Sequence, residues 1–490
     1  MYLSKSQYIR GLQCVKSLWL YKYKRKEAVT PPGAATQVVF DIGSRVGELA
    51  CQLFPDGEAI VFEGTTFEEK IALTKKYMEE GVENIYEATF NFNGMLVMVD
   101  ILHRGVDGWE IFEVKSSTEV KDVYVDDASI QYYVLNGCGL DVNSVSIVHI
   151  NNKYVRGEEL EINKLFTIVD LTDDVKELQE QILLNLDRLE DVVDNKEDEP
   201  SIDIGMHCFK PYECDCKEYC WKGVPDYSIF DLAGIRKDKA FDIYSQGVQT
   251  IQDIQDISIF SAGQQIQIES ELQNKTIINH DAIRTFLNEM TYPLYHLDFE
   301  TFQQAIPEFE GVSPYQQIPF QYSLHIEHKN SSPVHKEFLA EEGIDPRKAL
   351  AERLVNDIPV DVMVLAYNMG FEKGVIRKLA DRYPEMPSDL MAIHNNIKDL
   401  MTPFQKKYYY VPSMRGSYSI KSVMPALVPE MDQAYKDLEG IHNGGEAMNA
   451  YASLHLKDLD DRLQIRSSLL EYCKLDTLSM IKILEKLRNI

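Results

Sequence analysis

Two carboxylates follow an apolar run in the C-terminal half of the chain. The stretch Tyr295-His-Leu-Asp-Phe-Glu-Thr301 places Asp298 and Glu300 at positions i and i+2. On a β-strand this spacing puts both side chains on one face, where they can bind the same metal ion. Hard divalent ions such as Mg²⁺ prefer carboxylate oxygens as ligands. The pattern therefore predicts a metal site on a strand in this part of the chain.

Further groups suited to such a site lie downstream. The segment Glu471-Tyr-Cys-Lys-Leu-Asp476 has helical periodicity, so Tyr472 and Asp476, at i and i+4, share a face. Glu372 follows the apolar, strand-like run 362–367. Carboxylates gathered in this way can hold a pair of divalent ions, and a tyrosine hydroxyl can orient or deprotonate a water molecule.

A second group of charged residues lies in the N-terminal half. The chain reads Gly94-Met-Leu-Val-Met-Val-Asp100, then a turn, then Trp109-Glu-Ile-Phe-Glu-Val-Lys115. Two antiparallel strands would bring Asp100 beside Glu113, and Glu113 and Lys115, at i and i+2, would face the same way. The sequence thus predicts two acids and a lysine on neighbouring strands.

Eight cysteines occur in the chain, and four of them lie in the short segment 208–220. In a cytoplasmic protein such a cluster is typical of a metal site rather than of a disulfide framework. Four thiolates suit either Zn²⁺ or a [4Fe–4S] cluster, and spacing alone leaves both open.

Length and charge narrow the class of protein. A chain of 490 residues with 44% hydrophobic residues predicts two or three domains. No apolar run reaches membrane-spanning length and the N-terminus is not a signal peptide, so we expect a cytoplasmic protein without membrane contact.

The net charge of −28 argues against broad wrapping of nucleic acid. Segments 1–26 and 398–421 are locally basic, and the second contains tyrosines that suit stacking on single strands, although a solvated face is the alternative for each.

Hydrophobic periodicity predicts an α/β protein in three parts: residues 1–222, a helical connector at 223–290, and residues 291–490. Within the connector, the segment 232–251 resembles a helix–hairpin–helix contact to a DNA backbone, with a plain helical linker as the alternative. The predicted strands are 85–90, 94–102, 109–115, 293–300, 317–326 and 362–367, and the predicted helices lie near 125–138, 173–196, 346–357, 369–382 and 457–488.

The order of the C-terminal motifs resembles that of the DnaQ-like 3′→5′ exonucleases, which have an RNase H-like fold and, in one branch, a catalytic tyrosine. The resemblance implies that Tyr472 is catalytic and that Mg²⁺ or Mn²⁺ is bound by four acids, of which Glu372 stands where the family usually has Asp. It also implies contacts from Asn368 and Lys421 to nucleic acid. The implied metal ligands are Asp298, Glu300, Glu372 and Asp476.

The N-terminal motifs resemble the PD-(D/E)XK nucleases, in particular their RecB-like and CRISPR-associated branch. The resemblance implies that Asp100 and Glu113 bind Mg²⁺ or Mn²⁺ and that Lys115 positions water and offsets phosphate charge. Gln131 matches the glutamine helix of that branch, but Leu135 stands in the place of its tyrosine. Gly47 stands where its metal-binding histidine is expected. Glu87 is a further metal-ligand candidate, with an ordinary partnered strand glutamate as the alternative.

The same branch of nucleases closes its domain around a [4Fe–4S] cluster. It takes one cysteine ligand from the N-terminal helix and three from the end of the domain. The residues implied here are Cys14, Cys208, Cys214 and Cys220, with Cys216 as the competitor for one of these places and zinc as the alternative metal.

Together these motifs resemble a family of prokaryotic fusion proteins that join a RecB-like iron–sulfur nuclease to a DnaQ-like exonuclease. The resemblance implies an α/β protein with an N-terminal PD-(D/E)XK restriction-endonuclease-like domain, a helical connector and a C-terminal RNase H-like domain. We expect a metal-dependent nuclease acting on single-stranded DNA or DNA ends in repair, recombination or defence. Two alternatives are an RNA 3′→5′ exonuclease and a non-catalytic iron–sulfur module that binds nucleic acid.

Overall fold

A computed structural model of the chain describes residues 2–61 and 64–490 as a mixed α/β protein. It divides into two compact units. Unit 1 contains Met1–Gly223 together with Gln304–Tyr315, and unit 2 contains Val224–Gln303 together with Gln316–Ile490. No helix in the described part of the chain is long and apolar enough to cross a membrane.

Unit 1 is built around a seven-stranded sheet. Its elements are β1 (Leu3–Ser4), α1 (Lys5–Gln13), α2 (Val15–Tyr23), α3 (Arg25–Ala28), α4 (Ala34–Ala50), β2 (Glu58–Ala59), α5 (Phe67–Glu79), β3 (Asn84–Phe92), β4 (Met95–Arg104), β5 (Trp109–Lys115), α6 (Asp122–Gly137), β6 (Val142–Ile150), α7 (Ile162–Leu165), β7 (Phe166–Asp170), α8 (Thr172–Glu177), α9 (Gln179–Asp194) and α10 (Lys217–Cys220).

The sheet of unit 1 runs β2-β3-β4-β5-β6-β7, and β1 pairs with β4. Strands β3, β4 and β5 are antiparallel, whereas β6 lies parallel to β5. Helix α6 makes the connection that a parallel pair requires. It packs against β3, β4 and β6, and its Ala128, Ile130 and Val134 join the apolar core. The ends of β4 and β5 and one face of α6 therefore come together.

Unit 2 contains a five-stranded sheet and a longer series of helices. Its elements are α11 (Lys237–Ser245), α12 (Ala262–Gln273), β8 (Ile277–Ile278), α13 (His280–Asn288), β9 (Leu294–Phe302), β10 (Ile318–Glu327), β11 (Val334–Leu339), α14 (Arg347–Asp357), β12 (Met363–Ala366), α15 (Gly370–Arg382), α16 (Pro387–Asn395), β13 (Ile397–Asp399), α17 (Thr402–Gln405), β14 (Tyr409–Tyr410), α18 (Ile420–Leu427), α19 (Pro429–Lys436), α20 (Gly444–Ala452) and α21 (Leu459–Arg488).

The sheet of unit 2 runs β11-β10-β9-β12-β13. Strand β9 is antiparallel to β10 and parallel to β12, which in turn is parallel to β13. One face of β9 places Tyr295, Leu297 and Phe299 in a core with α14, α15 and α16. The long helix α21 packs on β9 and β10 and contacts their polar face.

The predicted strands and helices are confirmed, with ends shifted by a few residues and one helix divided. The acidic stretch near 173–196 forms two helices, α8 and α9, rather than one. The connector forms helices with their own apolar cluster, and it belongs to unit 2 rather than forming a compact unit by itself. The segment 304–315 was expected in the C-terminal domain, but it packs within unit 1, where Ala305 joins an apolar cluster with Val46 and Phe112.

Candidate functional site

The two carboxylates of β9 lie on the polar face of the unit 2 sheet. The alternation of β9 buries Leu297 and Phe299 on one side and directs Asp298 and Glu300 to the other. Helix α21 covers this side, and the Sγ atom of Cys473 lies 3.7 Å from Oδ2 of Asp298. The predicted i, i+2 pair therefore forms one acidic site beneath α21.

Tyr472 and Asp476 of α21 reach the same site. Both side chains are buried, and each affects the pKa of the other. A second tyrosine, Tyr435 of α19, donates to Oδ1 of Asp476 at 2.6 Å and also contacts Ser479. Sequence reasoning missed Tyr435, because nothing in the spacing of residues 41 positions apart indicates contact.

Glu372 lies in the first turn of α15 and is only 2% exposed. Its Oε2 atom has no hydrogen-bond partner, and burial together with the charge of Asp298 raises its pKa well above the usual value. The carboxylate therefore belongs to the acidic site rather than to a solvent-facing helix surface. The turn before α15 is held by Asp399, which accepts hydrogen bonds from the backbone N–H groups of Asn368 and Met369 at 3.0 and 3.2 Å.

The site holds more negative charge than its surroundings neutralise. Burial and mutual repulsion raise the pKa values of Asp298 and Glu300 well above the usual range, and burial raises that of Asp476 to about 6. The positive charge of Lys421 lowers the pKa values of Glu300 and Asp476. The Lys421 ammonium also lies 5.9 Å from the centre of the Tyr472 ring. A bound cation would relieve this repulsion.

In unit 1 the predicted acids and lysine also come together. Oδ2 of Asp100 accepts the backbone N–H of Val114 at 2.6 Å, which ties the end of β4 to β5. Glu113 is 2% exposed, and its Oε1 atom lies 2.6 Å from the ammonium of Lys115. Its Oε2 atom accepts a hydrogen bond of 2.7 Å from Gln131 of α6. Leu135, one turn beyond Gln131, is buried in the apolar core.

Two residues that sequence reasoning missed complete this group. The ammonium of Lys5, at the start of α1, lies 2.7 Å from Oε1 of Glu113 and 3.4 Å from Oδ1 of Asp127. Lys115 lies 2.5 Å from Oδ2 of Asp127. Asp127 precedes Gln131 by one helical turn, so the i, i+4 spacing was a signal in the sequence that could have identified Asp127. No local pattern signalled Lys5, which is 108 positions from Glu113.

The charges of this N-terminal centre perturb one another strongly. Burial and the charge of Glu113 raise the pKa of Asp100 to about 8. For Glu113, the two lysines outweigh the effect of burial and hold the pKa below its usual range. Glu87 and Asp100 both lie in the gap between two paired positions of β3 and β4, and Glu87 has a left-handed backbone conformation with a φ of 59°. Burial and Glu113 raise the pKa of Glu87, so it joins the acids of this centre.

The position where the histidine is expected, Gly47, lies on α4 one turn before Cys51. Cys51 follows α4, and its thiol donates to the carbonyl of Gly47 at 3.4 Å. Burial and the charges of Asp100 and Glu87 raise the pKa of Cys51 to about 11, so this end of α4 is close to the centre. A Cβ atom added to Gly47 would meet no atom within 4 Å. The site has room for a side chain there and lacks one.

The four cysteines predicted as cluster ligands lie near one another in unit 1. Cys14 connects α1 to α2, and burial raises the pKa of its thiol. Besides burial, the thiolate charges of Cys208 and Cys214 raise the pKa values of both Cys14 and Cys220, which places the four side chains close together. On α1, the side chain of Gln13 donates to the carbonyls of His207 and Tyr212, which brings the two ends of the unit together.

Cys216 is buried beside these four cysteines, on the side of α2. Its Sγ atom lies 3.6 Å from the hydroxyl of Ser17 and 4.0 Å from the Arg10 guanidinium, and its side chain packs against Trp19. A hydrogen bond from the Cys216 thiol lowers the pKa of Cys214 to about 6. Cys216, the competitor for one of the ligand places, thus contacts Ser17, Arg10 and Cys214.

The two basic segments are only partly exposed. Lys406, Arg415 and Lys421 lie at the surface, whereas other members of the segments are buried or paired. In the segment 398–421, Lys407 and Tyr410 are buried, and burial lowers the pKa of Lys407 to about 8. Tyr410 lies in β14, which pairs with β8. In the segment 1–26, the side chains of Lys5, Arg10 and Lys16 form ion pairs with acidic residues of unit 1.

Comparison with known proteins adds two matches. Residues 295–419 match the model of a family described as a domain of unknown function, DUF2779. The match begins at β9 and ends before α18, so it includes Asp298, Glu300 and Glu372 but not α21. An uncharacterized protein of Ureaplasma parvum serovar 3, UU173, is 25% identical over 200 residues, which cover 34% of this chain and 29% of that protein. The chain therefore matches less than a third of that relative.

Proposed function

We propose that this protein is a metal-dependent nuclease whose C-terminal centre is a DnaQ-like 3′→5′ exonuclease. The observation that carries the proposal is the convergence of four carboxylates, three of them buried, and a buried tyrosine from three separate elements. The elements are β9, the first turn of α15 and α21. Burying so many acids without cations is costly, which favours a site that binds metal ions. The four carboxylates are Asp298, Glu300, Glu372 and Asp476.

The donor set fits hard divalent ions such as Mg²⁺ or Mn²⁺. All four acids offer oxygen ligands, and Oε2 of Glu372 has no protein partner, as expected of an atom that awaits a cation. Bound ions of this kind activate a water molecule and stabilise the leaving oxygen of a phosphodiester. The sheet order, with three antiparallel strands followed by two parallel ones, supports an RNase H-like fold for unit 2.

The side chains around the acids have complementary roles in this proposal. Tyr472 is buried, and burial with the surrounding carboxylates raises its pKa, so it keeps its proton and can orient the attacking water as a hydrogen-bond donor. Lys421 is exposed and next to Tyr472, where its ammonium can contact a phosphate. Tyr435 holds the Asp476 carboxylate in position through its 2.6 Å hydrogen bond.

For unit 1 we propose a RecB-like PD-(D/E)XK domain. Asp100 and Glu113 would hold a divalent ion, Lys115 would face the phosphate and Gln131 would orient Glu113. The antiparallel β3–β4–β5 strands followed by α6 and the parallel β6 support this assignment. A binding-only role for this centre is favoured by two observations. Gly47 leaves the histidine position empty, while the Lys5 ammonium already neutralises Glu113.

The cysteines of unit 1 fit a [4Fe–4S] cluster better than a single zinc ion. Four sulfurs around one tetrahedral zinc lie about 3.8 Å apart. Among the described residues of unit 1, the cysteine-containing group whose ligand atoms all lie within 4.8 Å of one another is Cys214, Asp215 and Cys216. In the same part of the chain, no three of the four predicted ligands have sulfur atoms that all lie within 4.8 Å of one another, and a cluster larger than one ion would span such a separation. The four predicted ligands are Cys14, Cys208, Cys214 and Cys220.

The test of the cluster is optical. Anaerobically purified protein should be brown, because thiolate-to-iron charge transfer absorbs visible light and zinc does not. Cys14→Ala should remove the colour, whereas Cys138→Ser, a change at an exposed thiol outside the cluster, should keep it. A colourless protein that holds one zinc ion in unit 1 would contradict the assignment.

The test of the nuclease uses matched DNA and RNA single strands labelled at the 5′ or 3′ end, with Mg²⁺ or Mn²⁺. Asp298→Asn should reduce 3′→5′ trimming by at least about 100-fold, because the site loses a charged ligand. Glu337→Gln changes an exposed glutamate of β11 in the same sheet and serves as the control. Cleavage that survives Asp298→Asn but needs Lys115 belongs to unit 1. Trimming that survives both changes would contradict the proposal.

A further inference from the structure

The acidic site of unit 2 contains a thiol that hydrolysis does not require. Cys473 follows Tyr472 on α21 and is fully buried. Its Sγ atom and one oxygen each of Asp298 and Glu300 all lie within 4.8 Å of one another. The contact between Sγ and Oδ2 of Asp298 is 3.7 Å. A sulfur and two carboxylates thus converge on one point.

These distances fit a single tetrahedral ion. A zinc ion bound to sulfur at about 2.3 Å and to oxygen at about 2.0 Å separates the two ligand atoms by about 3.5 Å. The observed separation of 3.7 Å between Sγ of Cys473 and Oδ2 of Asp298 is close to this value. Mg²⁺ does not prefer sulfur ligands, whereas zinc accepts sulfur and oxygen together.

An independent feature also points to a cation at this place. Glu372 is 2% exposed, and its Oε2 atom has no partner. Its charge acts on Glu300, and that of Asp298 acts on Glu372, so the unpartnered carboxylate is close to the point where the three ligand atoms meet.

We propose that the C-terminal centre is also a zinc site, with Asp298, Glu300 and Cys473 as the three protein ligands and water in the open fourth position. When the ion binds, the S–H bond of Cys473 breaks, the proton passes to solvent, and the sulfur keeps the electron pair that it shares with zinc. Under the proposed function, this ion and the hydrolytic Mg²⁺ need the same two carboxylates. Their binding is therefore mutually exclusive, and zinc inhibits trimming.

The first experiment measures inhibition of trimming by Zn²⁺ at several Mg²⁺ concentrations. Zinc should inhibit the full-length protein in competition with Mg²⁺. In Cys473→Ser and Cys473→Ala, each compared with its own zinc-free rate, the inhibitory zinc concentration should rise at least about tenfold. Cys138→Ser is the matched control, and it should keep the zinc response of the unmodified chain. Equal zinc sensitivity in all four proteins would overturn the proposal.

The second experiment does not depend on catalysis, so it separates failure of this inference from failure of the proposed nuclease. Co²⁺ replaces zinc as a probe, because a cobalt–thiolate bond gives a charge-transfer band in the near ultraviolet. The cluster cysteines of unit 1 are present in every variant, and their signal cancels in the difference between unmodified protein and Cys473→Ala. A difference band of one cobalt per chain supports the site. A flat difference, with circular dichroism showing that the variant is folded, refutes it.

Discussion

Lys5 offers the most direct test of the N-terminal centre, because the geometry predicts two opposite effects of removing it. Lys5→Met keeps the apolar stem and removes the charge. The ammonium lies 2.7 Å from Oε1 of Glu113 and 3.4 Å from Oδ1 of Asp127. At an effective dielectric constant of about 20, a pair at the shorter distance attracts by about 6 kcal/mol.

The net cost to stability is smaller than this attraction. Removing one partner of a buried ion pair destabilises a protein by about 3–5 kcal/mol. Lys115 remains 2.6 Å from Glu113 and Lys5 is itself 20% exposed, so we expect the lower end, about 3 kcal/mol. Metal binding should change in the other direction. Without the ammonium, the acids should bind Mn²⁺ at least about tenfold more tightly, which corresponds to about 1.4 kcal/mol.

Both quantities can be measured in the full chain. Urea unfolding of unit 1 is followed by tryptophan fluorescence, because Trp19, Trp109 and Trp221 all belong to this unit. Calorimetric Mn²⁺ titration is done in an Asp298→Asn background, which removes a ligand from the other centre.

The matched control is Lys16→Met. Lys16 pairs with Glu199 at 3.3 Å, away from the acids of the centre, so stability should change by no more than about 1 kcal/mol and Mn²⁺ affinity should stay constant. The reasoning is refuted if Lys5→Met leaves stability unchanged, or if it weakens Mn²⁺ binding.

Three further predictions concern the same two centres. Gly47→His should strengthen Mn²⁺ binding by unit 1 and raise any Lys115-dependent cleavage, because the position has room for a side chain and lies one turn from Cys51, whose pKa burial and the acids raise. Unchanged metal affinity would contradict this placement. Glu372→Gln should lower trimming strongly and raise the Mg²⁺ concentration needed for the half-maximal rate, whereas Glu372→Asp should retain more activity. If Glu372→Gln has almost no effect on trimming, Glu372 is not a metal ligand. Asp100 has a pKa of about 8 in the folded protein, above its unfolded value, so only the unfolded state loses this proton as the pH rises from about 4 to about 8. Metal-free unit 1 should therefore lose stability across that pH range, and Asp100→Asn should reduce the loss. Urea unfolding at several pH values measures both effects.

Much of the architecture was readable from local patterns. Alternation and apolar runs predicted β4, β5 and β9, and helical periodicity predicted α21, because these patterns reflect which face of an element meets the core. The i, i+2 and i, i+4 spacings likewise placed Asp298 with Glu300 and Tyr472 with Asp476 correctly, since each pair is held by the geometry of one element.

Only the tertiary structure could decide which distant side chains complete each site. Lys5 reaches Glu113, Tyr435 reaches Asp476 and Cys473 reaches Asp298 across separations of 108, 41 and 175 residues. No periodicity relates residues so far apart, because their contact depends on how whole helices pack on the sheets. The same packing buried Lys407 and Tyr410 in a segment that composition alone had marked as a basic, aromatic surface. The spacing of residues within one strand or helix thus determined which side chains share a face. The packing of helices on the sheets determined which distant charged and polar side chains lie beside them.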